Sequence, residues 1–202
     1  MKLEVKQEPF PHIIIYNYFT EDELNHIWKE LKFLTNQNKL LPPSETGSAM
    51  IDGVLTKQNK GLFLDEIFPK REISDILTYS KKIFENNDLR KQISDNGWVF
   101  RWWNESIGRY VTLLSYYENS DYYDPHEDYS FFTNLIHLFE EPISFKGGEL
   151  YFPDFDYTLP NVNNRMFIFP SNLTHEVKPI TMNVEEFSGK GRYTITHFCS
   201  SK

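Results

Sequence analysis

The chain has 202 residues, 40% of them hydrophobic and 25% charged, a balance that suits a globular fold and excludes both disorder and a disulfide-stapled miniprotein. No apolar run approaches the roughly 18 to 20 residues of a membrane span, and a net charge of -8 without a basic cluster longer than Lys81-Lys82 argues against a phosphate-backbone binder. The single cysteine, Cys199, cannot form an internal disulfide, and no basic region followed by an apolar core opens the chain, so a cytoplasmic protein with no membrane or nucleic-acid partner is expected.

In chain order, the β-branched run His12-Ile13-Ile14-Ile15-Tyr16 predicts a strand. Thr20-Glu21-Asp22-Glu23 has the form of a capping box, and Leu24, Ile27, Trp28, Leu31 and Leu34 then mark one face of a helix reaching about residue 35. Residues 36–61, polar and broken by Pro42-Pro43, read as a long loop, and Ile73, Ile76, Leu77 and Ile83 predict a second helix over about 72–84. From Trp98 onward, aromatic-rich runs between turn residues predict strands at about 98–103, 110–117, 133–139, 148–152, 165–169, 175–180 and 191–199. The expected organisation is one domain over 1–202, with an N-terminal strand, helices and loop (1–97) packed on a β core (98–202). The expected fold class is mainly β with packing helices (α+β), the core being a sandwich or jelly roll.

The chemistry concentrates at three side chains. His126-Glu127-Asp128 is a His-x-Asp triplet, and residues two apart on a strand share a face, so an imidazole and a carboxylate can converge on one ion. His175 follows 49 residues later at the end of a strand and turn. Two neutral imidazoles and one carboxylate form the facial triad of non-haem iron(II) oxygenases, which leaves open positions for cosubstrate and dioxygen.

With these residues in place, the segment from His12 to Phe198 resembles the iron(II)/2-oxoglutarate-dependent dioxygenases, nearest their prolyl 4-hydroxylase-like branch. Five ordered motifs carry the resemblance: Phe10-Pro11-His12 through Phe19, Tyr123-Asp124-Pro125-His126-Glu127-Asp128, Gly147-Gly148-Glu149-Leu150 with Phe152-Pro153, Phe167-Ile168-Phe169-Pro170, and His175-Glu176-Val177 with Pro179. The resemblance implies a double-stranded β-helix (a cupin-like jelly roll) with N-terminal helices buttressing one sheet. It implies iron(II) held by His126, Asp128 and His175, with 2-oxoglutarate and O2 as cosubstrates and ascorbate as an auxiliary reductant. It also implies a cation for the remote carboxylate of 2-oxoglutarate, and Arg192, opening the last strand, matches that position. A planar guanidinium suits a carboxylate through two parallel charge-assisted hydrogen bonds. The interval from His175 to Arg192 is longer than the family's, so Thr181–Lys190 reads as an inserted loop.

Where some hydroxylases offer a tyrosine to the same carboxylate, this chain has His137. Strand alternation groups Thr133, Leu135 and His137 on one face, and Arg192, Thr194 and Thr196 on another. Tyr123 and Tyr116 or Tyr117 are further candidates for cosubstrate or substrate contacts, with Tyr117, Tyr123 and Thr194 grouped with Arg192 and His137 as the cosubstrate-binding set. His12, His26 and His197 read as structural, and Trp98, Trp102 and Trp103 as aromatics that fill the core, with the lining of a substrate groove as the alternative. The resemblance implies hydroxylation of a C–H bond, with a prolyl residue in a peptide or protein as the expected substrate. A free amino acid or other small molecule is the alternative, and a non-catalytic β-barrel with a vestigial metal site is the reading from another class. Loops 36–61 and 181–190 fall where loops of such proteins commonly cover the site, and their composition names no ligand.

Overall fold

The computed structural model describes residues 1–47, 50, 51, 53–183 and 189–201. The N-terminal strands β1 (Lys2–Lys6) and β2 (His12–Tyr16) pair antiparallel, and helix α1 (Glu21–Asn36) follows with the expected capping box: Thr20 accepts from the Glu23 backbone N–H while the Glu23 carboxylate accepts from that of Thr20. The region predicted as loop 36–61 contains strands. These are the two-residue pair β3 (Met50–Ile51) and β4 (Val54–Leu55), then β5 (Lys57–Gln58), with β6 (Lys60–Phe63) beginning at its end.

A short helix α2 (Leu64–Ile67) precedes the region predicted as one helix over 72–84, which is instead a 3-10 turn (Arg71–Ile73), α3 (Asp75–Ser80) and α4 (Lys82–Glu85). Three polar side chains, Ser74, Glu30 and Tyr18, mark the breaks. Ser74 caps α3 by accepting from Leu77 N–H, and Glu30 of α1 binds both the Ser74 hydroxyl and the Ile76 N–H. Between α3 and α4 the Tyr18 hydroxyl donates to Ser80 O and accepts from Ile83 N–H, and Ile73, expected on the apolar side, is left exposed.

Helix α5 (Asn87–Ser94) is followed by a second departure from the sequence reading. Residues 98–103, predicted as a strand, form a 3-10 turn (Phe100–Trp102) leading into α6 (Trp103–Ser106). Phe100 and Trp103 are fully buried whereas Trp98 and Trp102 are exposed, so the buried spacing is three, that of a helical turn, and only Trp103 of the three tryptophans fills core.

The remaining strands are β7 (Arg109–Tyr117), β8 (Tyr122–His126), β9 (Phe132–Leu138), β10 (Phe145–Gly147), β11 (Leu150–Phe152), β12 (Tyr157–Leu159), β13 (Arg165–Pro170), β14 (His175–Val177), β15 (Ile180–Met182) and β16 (Arg192–Ser200). β15 starts the segment read as an inserted loop, 181–190, of which residues 184–188 lie outside the described residues. The strands form a seven-stranded sheet in the order β1-β2-β13-β9-β16-β7-β6 and a five-stranded sheet in the order β12-β11-β14-β8-β5, with β10 and β15 paired separately. All described pairings are antiparallel, and the two facing sheets make the expected double-stranded β-helix.

The larger sheet is buried on both faces. Ile13, Ile15, Leu114, Ile136, Tyr193 and Ile195 pack against the helices, among them Leu31, Ile76 and Ile83, while Ile14, Leu135, Phe167 and Phe169 point to the second sheet and meet Leu150, Phe152 and Val177. This double burial explains why β2 and β9 read as continuous apolar runs without alternation. The helices thus buttress one sheet and leave the space between the sheets for the site. No helix among the described residues is long and apolar enough to cross a membrane.

Candidate active site

His126 ends β8 and His175 opens β14, and the two are direct cross-strand partners with ring centroids 4.3 Å apart. Asp128 lies beyond the end of β8, not on it as the His-x-Asp spacing suggested, and its backbone N–H is fixed by Ser171 O at 3.0 Å. One ligand atom from each of His126, Asp128 and His175 lies within 4.8 Å of the others. Asp128 Oδ2 is 3.5 Å from His175 Nε2, and Asp128 Oδ1 is 4.0 Å from His126 Nε2.

The tautomers follow from the partners. His126 Nδ1 is 2.8 Å from Asp124 O and His175 Nδ1 is 2.8 Å from Leu173 O. A carbonyl oxygen only accepts, so each Nδ1 carries the proton and each Nε2 presents a lone pair toward Asp128. Burial, reinforced at His126 by the neighbouring His175, pushes both imidazoles down to about 4, and both are neutral at physiological pH. Burial pushes Asp128 the other way, upward, against a hydrogen bond from Thr133.

That bond opens a hydroxyl chain that the sequence did not reveal. Thr133 Oγ1 donates to Asp128 Oδ2 at 2.6 Å, which leaves it to accept from Ser171 Oγ at 2.9 Å, and Ser130 Oγ lies 2.6 Å from Ser171. Tyr123 stacks flat on His126 at 3.5 Å between centroids, and Phe169 meets His175 edge-on at 4.9 Å. Neutral Nε2 atoms, a carboxylate and outer partners that fix all three fit the donor set of a non-haem iron(II) centre.

The three residues border a cavity of about 830 Å³ between the sheets. Arg192 reaches into it almost fully buried, its guanidinium 4.7 Å from the Tyr117 ring centroid and one Nη1 on Gly148 O. Gly147 and Gly148 both adopt positive φ, of +77° and +74°, and a Cβ on Gly147 would be driven into Pro179 O, so this close turn requires glycine. Burial lowers Arg192 to about 10, which leaves it charged, and its buried Nε has no partner among the described residues. A charged, partly unsatisfied guanidinium in the barrel suits a carboxylate ligand.

His137, Thr194, Tyr117 and Tyr123 all line the same cavity, as strand alternation predicted for His137 and Thr194. Thr194 pairs with His137 across the sheet, and its buried Oγ1 has no partner among the described residues. His137 lies well below its ordinary range because of burial first and then Arg192 and Arg165, so it faces the cavity as a neutral ring and not as a second cation. Burial raises Tyr117 to about 12, and Tyr117 and Tyr123 are both protonated phenols.

Tyr116 drops out of the candidate set because it points to the helix side, where its hydroxyl donates to Glu118 and accepts from Gly191 N–H. His12 and His197 are buried and bonded to Phe10 O and Ser80 Oγ, as structural histidines. From the segment read as the loop 36–61, Thr46, Gly47, Lys57 and Asn59 line the cavity, and none of the sequence motifs singled out Lys57 or Asn59.

Residues 111–200 match the family model described as 2OG-Fe(II) oxygenase superfamily. Comparison with curated protein sequences finds no match. Among solved structures, the fold is similar to a Pseudomonas putida prolyl-4-hydroxylase (TM-score 0.64, 14% identity, covering 95% of this chain and 92% of that one). It is also similar to the viral collagen prolyl hydroxylase of Paramecium Bursaria Chlorella virus-1 (0.54, 14%, 95% and 96%) and to a 2OG-Fe(II) oxygenase family oxidoreductase of Burkholderia pseudomallei (0.55, 15%, 94% and 84%). Residues 111–200, which carry all four proposed site positions, thus match the 2OG-Fe(II) oxygenase superfamily, whose cofactor set is Fe(II), 2-oxoglutarate and O2, and the fold of the chain resembles that of prolyl 4-hydroxylases.

Proposed function

We propose that the whole chain is a single oxygenase domain that hydroxylates a C–H bond of a prolyl residue in a peptide or protein. The observation that carries the reading is the convergence of His126, Asp128 and His175, with both Nε2 lone pairs turned inward, on the cavity that Arg192 enters. Bound iron(II) and 2-oxoglutarate supply the oxidising chemistry, in which dioxygen is divided between the substrate hydroxyl and succinate as CO2 leaves.

The chain's own residues orient and shield. Asp124 O and Leu173 O hold the histidine rings in register, Thr133 holds the Asp128 carboxylate, and Phe152 and Phe169 keep water from the rear of His175. Arg192 binds the remote carboxylate of 2-oxoglutarate through hydrogen bonds to its guanidinium. His137, on the neighbouring strand β9, and Thr194, two residues along β16 from Arg192, serve that end of the cosubstrate as neutral hydrogen-bonding groups, and Tyr117 and Tyr123 form the aromatic wall toward the metal. A carboxylate at Asp128 occupies the position that halogenating relatives leave open to chloride, so hydroxylation is the reaction assigned. The fold likeness to two prolyl hydroxylases supports the prolyl substrate.

The test is mass spectrometry of proline-containing peptides and of free amino acids after incubation with iron(II), ascorbate and 2-oxoglutarate. One added oxygen on a prolyl peptide, matched by succinate, is the expected result. Addition to a free amino acid moves the substrate to the small-molecule class, and no succinate under any condition overturns the oxygenase reading.

A further inference from the structure

Lys57 stands at the edge of the five-stranded sheet, across from Tyr123, and only 3% of it is exposed. Lysine is almost never buried to that degree without a charged partner. Its ammonium donates one hydrogen bond, to Thr46 O at 2.7 Å, and lies 5.3 Å from the centroid of the Tyr123 ring that stacks on His126. Among the described residues it forms no ion pair, so two of its three donors have no protein acceptor.

Two residues on, Asn59 is equally buried, and its Oδ1 has no partner among the described residues. Both side chains line the cavity that holds His126, Asp128 and His175. Arg192, the cation assigned to the cosubstrate, enters from the other sheet; the cavity is also lined by Arg109, which is exposed, so it carries two buried cations on opposite sheets, and one of them is unassigned. Burial lowers Lys57 to about 8, which still leaves it mostly charged at neutral pH, and an arriving anion would restore the stability of that charge.

We propose that Lys57, with Asn59 beside it, is the receptor for a carboxylate carried by the prime substrate. The ammonium takes the carboxylate, and Asn59 Oδ1 accepts from an N–H or O–H of the same molecule. This rests on the oxygenase reading above and narrows its substrate to one with a negative charge near the carbon that reacts. Two sources share that chemistry: the α-carboxylate of a free amino acid or chain end, and the side chain of an aspartate or glutamate next to the target residue.

Two matched probe pairs separate the sources: L-proline against L-prolinamide, and a doubly capped glutamyl-proline dipeptide against its glutaminyl counterpart. Each is titrated calorimetrically into the full chain loaded with manganese(II) and N-oxalylglycine, a non-reacting 2-oxoglutarate mimic. In one pair the carboxylate member should bind about 10-fold or more tightly than its neutral partner, the range for a hydrogen bond to a charged group. Lys57→Met should abolish that preference and leave N-oxalylglycine affinity within about 2-fold. If the Met variant does not fold, Lys57→Gln, which keeps a donor for Thr46 O without the charge, replaces it.

No carboxylate preference in either pair, or a preference that survives in the variant, overturns the proposal. So does a parallel loss of N-oxalylglycine binding in the variant, which would assign Lys57 to the cosubstrate. Failure of the parent chain to bind N-oxalylglycine at all would instead overturn the oxygenase reading.

Discussion

At the residue scale, the three proposed ligands were legible because a His-x-Asp pair and a later histidine each sit in a recognisable local motif. Their supports were not legible: Thr133 and Ser171 are small hydroxyl residues 38 positions apart, and only the pairing of β9 with β13 brings them to Asp128. Lys57 was hidden for a similar reason, since a lone lysine in a polar stretch reads as solvated until β5 pairs with β8. Thr133 is a positioning residue, and Thr133→Val should lower metal affinity roughly 10- to 100-fold, the usual effect of removing a partner behind a metal ligand. Metal titration alongside circular dichroism checks this, and unchanged affinity would make the hydroxyl chain ordinary core polarity. Arg192→Ala should raise the 2-oxoglutarate requirement by about 1.5 to 3 kcal/mol, roughly 10- to 150-fold, because a charge-assisted anchor is lost. Binding measured on the manganese-loaded protein separates that loss from any effect on turnover. An unaltered requirement would place the carboxylate elsewhere.

At the element scale, the sequence spoke clearly wherever a local signal and tertiary burial agreed. The capping box at Thr20, the span His12–Tyr16 and the final strand are of this kind, since β16 turns Arg192, Thr194 and Thr196 to the cavity and Tyr193, Ile195 and His197 to the helices. Trp98–Trp103 failed because aromatic content favours strands while the buried spacing of Phe100 and Trp103 is helical. The 72–84 region failed because the side chains that interrupt it, Glu30 and Tyr18, are remote in sequence. The Gly147–Gly148 turn joins element to site, since it follows β10 and its Gly148 carbonyl receives Arg192. Gly147→Ala should therefore cost at least about 2 kcal/mol, from left-handed strain and from the clash with Pro179 O together. It should also weaken 2-oxoglutarate binding, because Arg192 loses its support. Denaturant unfolding and cosubstrate titration of the same variant test both. Lost stability with full cosubstrate affinity would show that the turn does not position the arginine.

At the scale of the whole molecule, the barrel and its helical buttress hold five of the six histidines in surroundings that oppose a charge. Burial is the leading cause for each, taking His126 and His175 to about 4, His197 to about 3, and His12 and His137 downward. An unfolded chain protonates these rings near pH 6.5, so between 6.5 and about 4 it binds more protons than the native state does. Native stability therefore falls as pH falls through that window, by about 1.4 kcal/mol per pH unit for each fully affected histidine. Asp128, raised by burial, works in the opposite direction as a single group. Against a total stability on the order of 5 to 15 kcal/mol, the protein without metal should unfold before pH 4. Metal sharpens the dependence, because a ligating imidazole must be neutral and protons compete for the same Nε2. With free metal at about 100 times its Kd, stability at pH 7.5 should rise by about 2.7 kcal/mol, and that gain should vanish as the pH approaches 5. Denaturant midpoints measured from pH 7.5 to 5, with and without manganese(II), would trace two curves that converge in acid. Curves that stay parallel would mean that the ion is not held by His126 and His175, and a parent gain that persists unchanged in His175→Ala would lead to the same conclusion.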